Sequence, residues 1–329
     1  MSLKSLQLGR AFNLVLRTLP IALVRLGALL LFWLAALLYL AIVGGVAWLA
    51  GQAIPLVGVI LFLVGLGGMG GLYHLARRYV LYMIKAAQIA VIAQMLTEGE
   101  LPAGVSQLAW GKQRVQERFG EASIMFAMDQ LVMGVVSVFT GTVYRVAAFL
   151  PGNAFRTLAN ILNRVIRFSL HYVDEAILAR TFWMNSENVW TNARDGVVLY
   201  GMVWKPLLVN ATALMLLSYI PGVLALILFS APIAFLASLI SSTVAGWSII
   251  ATLVLAWLIK VAVGDTFAMS AMIAAYHQET LGLEPDPAIV ARLEQVSNRF
   301  RDLQARAREE LGMGVEPEPP VDTAPVFPA

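Results

Sequence analysis

The chain has 329 residues, of which 59% are hydrophobic and only 13% are charged. Because a typical soluble domain carries about 25% charged residues, this composition predicts an integral membrane protein. The formal net charge of +3 is modest, and we expect the cations to flank a membrane and contact anionic lipid headgroups instead of nucleic acid. The sequence has no cysteine, which excludes disulfides, thiolate metal sites and cysteine nucleophiles.

Four apolar runs are long enough to cross a bilayer, which takes about 20 residues. They are Leu26–Ala50, Ala53–Tyr73, Ala211–Leu239 and Trp247–Ala271. The first run is too long for the core of a signal peptide, and it follows a basic cytoplasmic segment, residues 1–25. We therefore predict one transmembrane hairpin over residues 26–73 and a second over residues 207–278.

The turns inside these two hairpins carry no charge, so all 23 Lys and Arg residues can lie on the opposite side of the membrane. The turns are Gly51–Ile54 and roughly Ser241–Gly246. Lysine and arginine accumulate in the cytoplasmic segments of membrane proteins. We therefore predict a cell-membrane protein whose N- and C-termini are both cytoplasmic.

Residues 74–206 are predicted to form a cytoplasmic-side layer of amphipathic and re-entrant helices. Ala122–Phe149 is apolar enough to cross, but a single crossing would place the following arginine-rich stretch outside. We favour a re-entrant or interfacial hairpin that turns at Pro151-Gly152, because surrounding protein can satisfy such a turn. Two further crossings, which would give six spans instead of four, are the alternative.

Three segments of this layer place basic side chains opposite apolar ones, as interfacial helices do. They are Val105–Phe119, Ala154–Leu170 and Val197–Leu208. Pro206 is expected to break the last of these helices before the next span begins.

The C-terminal part is predicted to be a cytosolic amphipathic helix over residues 286–312, followed by a disordered Pro-rich tail over residues 313–329. Asp286-Pro287 is a typical helix start. The apolar stripe from Ile289 to Leu311 is one candidate contact in a homo-oligomer. The glycine-rich segment Gly65–Gly71 is another, because its G-x-G-x-x-G pattern lies inside a span and favours close helix packing over dinucleotide binding.

Two aspartates lie within or near apolar runs and are candidate functional residues. An ionisable group at membrane depth is a functional hypothesis by default. Asp129 could line a solute path, or it could face water or pair with an arginine. Asp265 could serve as a proton or cation site, or it could pair with Lys260.

His171 is followed closely by Asp174 and Glu175, which together suggest a metal site. Their spacing matches no strong metal-ligand signature, so we predict no metal. Pairing of the two carboxylates with Arg180 or Arg194 is the favoured interpretation.

The stretch from Asn185 to Lys205 is the densest in polar and aromatic residues. Trp190, together with Arg194 and Asp195, could hold an organic cation through cation–π contact. The alternative is an aromatic-rich interfacial helix, which membranes also favour.

Short motifs between residues 115 and 280 resemble the C-terminal half of the choline transporter-like family. They are Arg118-Phe119-Gly120, Tyr172–Glu175, Thr191–Asp195, Val261–Phe267 and Tyr276. Trp190 stands where the family pattern has a cysteine. The resemblance implies a shared helical membrane architecture, and it makes choline a candidate solute.

We therefore predict an all-α multipass membrane protein that lets a small solute, such as an organic cation, permeate. The candidate polar lining is Asp129, Asp174, Glu175, Trp190, Arg194, Asp195 and Asp265. The alternative is a scaffold that binds lipids or a partner at the inner leaflet without transport. No catalytic motif is present, so we predict neither enzyme activity nor a cofactor. We expect a homo-oligomer, because four spans rarely enclose a path alone.

Overall fold

The computed structural model describes residues 8–76, 80–120, 122–148, 172–184 and 188–311, and these residues form helices and short connections without a strand. The all-α prediction is therefore confirmed for this part of the chain. The first seven helices are α1 (Leu8–Arg17), α2 (Leu19–Ala53), α3 (Pro55–Ala76), α4 (Tyr82–Thr97), α5 (Gln107–Phe119), α6 (Ala122–Ala148) and α7 (residues 172–183).

The second half continues the helical architecture with six further helices. They are α8 (Val189–Leu217), α9 (Ile220–Ser238), α10 (Ser242–Ile259), α11 (Asp265–Thr280), α12 (Pro287–Val296) and α13 (Asn298–Glu310). A π-helical turn over Lys260–Gly264 joins α10 directly to α11. These two helices therefore run on from each other without a loop.

Three helical segments of the described residues are long and apolar enough to cross a membrane. They are Leu19–Ala53, Val189–Ser238 and Ser242–Thr280. The pair formed by α5 and the start of α6 would be a fourth if it counts as one span, although its two parts meet at 79°. The apolar part of α3, Pro55–Gly71, is shorter. Helices suited to a membrane are thus confirmed, while a count of four or six crossings stays a prediction.

Two helical hairpins, α2–α3 and α9–α10, show apolar side chains around most of their surface. Leu31, Trp48 and Ile249 are 67–73% exposed, and many other large apolar side chains of these helices are also exposed. An isolated surface helix of a soluble protein would instead be apolar on one stripe only. Lipid is the solvent that suits such surfaces.

The remaining helices bury a common hydrophobic core. It contains residues from α1, α4 to α8, and α11 to α13, with Tyr172, Tyr200 and Phe300 among its largest buried side chains. Small residues allow close approach between its helices. A Cβ atom at Gly111 on α5 would lie 2.4 Å from the Ala87 carbonyl oxygen on α4, so only glycine fits there.

The predicted interfacial helix Val197–Leu208 is instead part of the core. Val197, Leu199 and Tyr200 are at most 1% exposed, and α8 continues through Pro206 to Leu217. Proline removes one backbone donor from a helix. Burial of side chains on both sides of Pro206 offsets that loss, so the predicted break does not occur.

The C-terminal stripe is buried within the chain except at Val296 and Leu311, which are exposed, and it is divided into two helices. Asp286 caps α12 as predicted, and its side chain accepts a hydrogen bond from the Ala288 amide. Ser297 has extended backbone and separates α12 from α13, so the single helix predicted over residues 286–312 is wrong. Phe300 and Leu303 are fully buried, and α13 packs on α8 and α6. These side chains are therefore unavailable for an oligomer contact.

Glycines permit close packing of α2 against α3. Not every glycine of the predicted segment Gly65–Gly71 contributes to this packing. A Cβ atom at Gly65 would lie 2.2 Å from Val43 Cγ1, and one at Gly58 would lie 2.6 Å from the Ala47 carbonyl oxygen. Gly67 has open space around its Cβ position. The close approach of α2 and α3 therefore depends on Gly58 and Gly65.

Several predictions fall outside the described residues. They are the re-entrant turn at Pro151-Gly152, the amphipathic helix Ala154–Leu170 and the Pro-rich tail over residues 313–329. The first seven residues of the basic N-terminal segment also lie outside them.

Candidate functional site

Three carboxyl side chains and one lysine from three helices meet inside the core. Lys85 on α4 forms an ion pair with Glu175 on α7. Asp174 is the preceding residue of α7, and Asp129 on α6 lies near enough for its charge to act on Asp174 and Lys85. Asp174 and Glu175 are buried, whereas Asp129 is half-buried. The structure thus brings three predicted site residues together, and we call them, with Lys85, the acidic cluster.

The acidic cluster has more negative than positive groups. Burial raises the pKa of Asp174 well above its usual value; the Lys85 charge opposes this shift, and the Asp129 and Glu175 charges reinforce it. Burial alone would lower the pKa of Lys85, but the charges of Glu175 and Asp174 outweigh it and raise that pKa. The lysine is therefore held in its charged form, while Asp174 is pushed toward its neutral form.

The ion pair of Glu175 corrects the expected pairing with arginine. Arg194 instead pairs with its own neighbour, Asp195, with 2.7 Å between Nη2 and Oδ1. Arg180 lies against Gly196 on α8. Helix α4, which is about 90 residues from α7 in the sequence, supplies the cation because the two helices share the core.

A second polar group lies at the junction of α10 and α11. The Tyr172 hydroxyl donates to Asp265 Oδ1 at 3.0 Å, and the Lys260 ammonium lies 2.6 Å from the same oxygen. This confirms the predicted pairing of Asp265 with Lys260. The Lys260 ammonium also lies 4.8 Å from the centre of the Tyr219 ring. We call these four residues the junction network.

The π-helical turn explains how Lys260 reaches Asp265. The Asp265 amide donates to the Lys260 carbonyl, an i to i+5 bond that brings the two residues onto the same face. In an α-helix, residues five apart point in well-separated directions. Gly264 lets the turn pack closely against the end of α8, because a Cβ atom there would lie 1.9 Å from the Ser218 carbonyl oxygen. Turns of this kind are frequent at functional sites.

Helix α7 connects the acidic cluster to the junction network, since Tyr172 and Asp174 are two residues apart. Helix α4 makes a second connection, because Gln88 Nε2 donates to Thr266 Oγ1 at 3.1 Å. Four buried polar atoms along this connection have no hydrogen-bond partner among the described residues: Gln88 Oε1, Asp174 Oδ1, Glu175 Oε2 and Ser270 Oγ. Buried polar groups normally have partners, so water or a solute is expected here.

The other predicted site residues lie apart from the acidic cluster. The Arg306 guanidinium on α13 stacks over the Trp190 ring, 4.9 Å from its centre. Trp190 therefore makes the predicted type of cation–π contact, but with a side chain of this chain. Arg194 and Asp195 form the local pair described above.

Two cavities lie apart from the acidic cluster. One of about 500 Å³ lies between α6 and α13, and its polar lining includes Gln130, Arg299 and Asp302. Another, of about 540 Å³, lies in the apolar groove between α9 and α10 near Ser230 and Thr252. Among the described residues, no group of three acidic or histidine side chains is placed to hold a metal ion.

Compared with protein-family models, curated proteins and solved structures, the chain matches none of them. The similarity to the choline transporter-like family therefore stays a prediction that rests on its short motifs.

Sequence reasoning missed Lys85 and Tyr172 as members of the site. One signal was present: Lys85 and Gln88 are three residues apart in a mostly apolar helix, so they share a face. Tyr172 carried no comparable signal, because its role depends on where α7 meets the π-helical turn.

Proposed function

We propose that the chain is a multipass membrane protein with four spans that lets a small cationic solute permeate. The exposed apolar surfaces of α2–α3 and α9–α10 support two transmembrane hairpins. The apolar part of α3 is Pro55–Gly71. At about 1.5 Å per residue it is about 26 Å long, close to a hydrocarbon core of about 30 Å.

The distribution of charge supports cytoplasmic termini. Gln52 and Ser242 lie in the two exposed turns, which carry no charge. The cations lie at the opposite ends of the hairpins, where anionic lipid headgroups would attract them. This orientation places the acidic cluster toward the cytoplasmic side.

The acidic cluster is the observation that most directly supports the proposal of permeation. Placing carboxylates in a core is unfavourable unless they are paired, and one lysine serves three of them. The cluster also leaves carboxylate oxygens without partners, and the junction network connects it to a segment suited to cross the membrane. A small organic cation, choline among them, would find charge and hydrogen-bond acceptors along this connection.

Flux into liposomes tests this proposal. Purified protein is reconstituted, and uptake of labelled choline and of a panel of small cations is measured. We expect uptake by the wild type and at least a tenfold loss in Asp129→Asn. Glu284→Gln changes an exposed carboxylate and serves as the control. Absence of uptake for every solute by the folded wild type would contradict the proposal.

A homo-oligomer is part of the proposal, because four spans rarely enclose a path alone. The face of α3 at Gly67 and Gly71 meets no other described residue within 4 Å of a Cβ position, so it is available for a second copy. Small residues let helices approach closely in lipid. The mass of the protein in native nanodiscs would show one copy or several.

A non-transporting scaffold is the second candidate, and helix α1 favours it. Ala11, Leu14 and Val15 of α1 are buried against the core, whereas Phe12 and Leu16 are more than half exposed. An amphipathic helix with basic residues and exposed apolar side chains suits the boundary between protein and lipid. Loss of anionic-lipid binding in Phe12→Ser/Leu16→Ser, together with absent flux in the wild type, would favour the scaffold.

A further inference from the structure

We infer that the junction network is an ammonium-binding site that the side chain of Lys260 occupies, and that a small primary ammonium ion can take the place of the lysine. The other three members of the network, Tyr172, Tyr219 and Asp265, form the site. Binding at this place requires no flux of solute, so the inference goes beyond the proposed permeation.

The lysine ammonium makes the contacts that a bound ammonium ion would make. Its nitrogen lies 2.6 Å from Asp265 Oδ1 and 4.8 Å from the centre of the Tyr219 ring. A carboxylate supplies opposite charge and a hydrogen-bond acceptor, and the face of an aromatic ring attracts a cation through its quadrupole. The lysine head is therefore held by the two kinds of group that also bind free ammonium ligands.

The groups that form the site are held in place without the lysine side chain. The Tyr172 hydroxyl on α7 donates to the same Asp265 oxygen at 3.0 Å, which orients the carboxylate. Tyr219 directly precedes α9, and its neighbour Ser218 packs against Gly264 of the π-helical turn. Removal of the lysine side chain leaves these contacts intact, so the carboxylate and the ring remain as a binding site.

The stem of the lysine runs along α9 and leaves its head near the surface. A Cβ atom at Gly222 would lie 2.9 Å from Lys260 Cβ, so glycine makes room for the stem to reach the Tyr219 ring. The side chains of Lys260 and Asp265 are 17% and 12% exposed. A free ion therefore reaches the site without opening the core.

The short contact with the carboxylate selects the class of ammonium ion. At 2.6 Å, Asp265 accepts an N–H from the lysine head. A quaternary ammonium ion has no N–H to donate, and its methyl groups keep its nitrogen farther from the oxygen. A primary ammonium ion has three N–H donors, as the lysine head does. The site therefore favours ions such as methylammonium and ethylammonium over tetramethylammonium.

Rescue of Lys260→Ala by free amines tests the site. The full-length variant is purified in detergent, and its Tm is measured with ethylammonium or tetramethylammonium chloride at about 100 mM, with sodium chloride as the reference for ionic strength. An ion that binds the folded state alone raises the Tm. We expect ethylammonium to raise it by at least about 3 °C relative to sodium chloride, and tetramethylammonium to raise it by less than about half as much.

Lys205→Ala is the matched control. Lys205 is exposed, and its ammonium lies 5.9 Å from the centre of the Trp204 ring, so it has an aromatic contact outside the network. We expect no rescue of Lys205→Ala or of Lys260→Ala/Asp265→Asn. Equal Tm values of Lys260→Ala in ethylammonium and sodium chloride, equal effects of the two ammonium ions, or rescue of the double variant would overturn the inference.

A measurement on the wild type keeps the inference testable if Lys260→Ala does not fold. In protein labelled with ¹³C-lysine, the ε-methylene proton signal of Lys260 should lie upfield of the Lys112 signal, because the Tyr219 ring shields it. Tyr219→Leu should remove that difference. A Lys260 signal without this upfield position would also overturn the inference.

The outcomes separate this site from the proposed permeation. Rescue of Lys260→Ala without uptake of any solute by the wild type would reject permeation alone. Uptake by the wild type without rescue of the variant would reject the ammonium site alone.

Discussion

The two hairpins and the core use their apolar side chains in opposite ways. Helices α9 and α10 expose large side chains such as Leu228 and Trp247, whereas most residues of α11 are buried. Yet α10 and α11 belong to one continuous segment. One continuous apolar segment therefore contains an exposed helix and a core helix, and the contacts of each part tell them apart.

The polar residues sharpen this difference. On the hairpins, hydroxyl groups such as Ser230 and Thr252 bond to carbonyls of their own helix. In the core, Lys85, Tyr172 and Lys260 reach across to other helices or around the π-helical turn. The ion pair of Lys85 in the core therefore ties distant segments together, whereas between the hairpin helices α2 and α3 the Tyr39 hydroxyl donates to the Gly65 carbonyl at 3.0 Å.

The largest effect is expected from removing the lysine of the acidic cluster. Lys85→Met leaves Glu175, which is 2% exposed, without its cation. Removing one partner of a buried ion pair costs about 3–5 kcal/mol. The free energy of unfolding, measured in detergent, should fall by that amount.

Lys112→Met is the matched control, because Lys112 is exposed on α5 and its loss should change stability little. Adding Glu175→Gln to Lys85→Met should recover part of the loss. Equal free energies of unfolding for Lys85→Met and Lys112→Met would show that the ion pair of Lys85 does not stabilise the core.

A smaller effect is expected at the junction of α10 and α11. Gly264→Ala places a Cβ atom 1.9 Å from the Ser218 carbonyl oxygen, so the backbone must shift. Overpacking of this kind costs about 1–3 kcal/mol. Gly246→Ala, on the open face of α10, meets nothing within 4 Å and should stabilise the helix by up to about 1 kcal/mol. In thermal unfolding, the Tm should fall for Gly264→Ala and rise for Gly246→Ala. Equal shifts in Tm would contradict the difference between the packed junction and the open face of α10.

The smallest effect is expected where α13 docks on the core. Asn188 caps α8 by accepting from the Thr191 amide, and its Nδ2 donates to the Ala307 carbonyl at 3.0 Å. Asn188→Ala should cost about 1–2 kcal/mol. Ser241→Ala removes only an exposed cap of α10 and should cost less. Chemical denaturation would compare the free energies of unfolding of the two variants. A larger loss in Ser241→Ala would argue that the Asn188 contact does not stabilise the docking of α13.

Local patterns in the sequence predicted the features that depend on neighbouring residues. The apolar runs, the Asp286 cap and the Lys260–Asp265 pair all involve residues within a few positions of each other. The cation that meets Glu175 could not be predicted, because it comes from a distant helix. Continuation of α8 through Pro206 also depends on tertiary packing, which overrides the local preference of proline.

The buried C-terminal stripe shows the same limit. A period of three and four residues predicts an apolar face correctly, but it does not say which surface covers that face. Phe300 and Leu303 meet α8 and α6 of the same chain instead of a second copy. The extended backbone at Ser297 lets α12 and α13 follow that surface in two pieces.

Topology is the most direct test of the proposed difference between lipid-facing hairpins and a cytoplasmic-side core. The chain has no cysteine, so single cysteines can be placed at Gln52, Ser242, Glu98 and Glu284, all of which are exposed. Intact cells are treated with a membrane-impermeant maleimide. We predict labelling at Gln52 and Ser242 only, with Glu98 and Glu284 labelled after permeabilisation. Labelling of Glu98 or Glu284 in intact cells, with folded protein, would contradict the four-span arrangement.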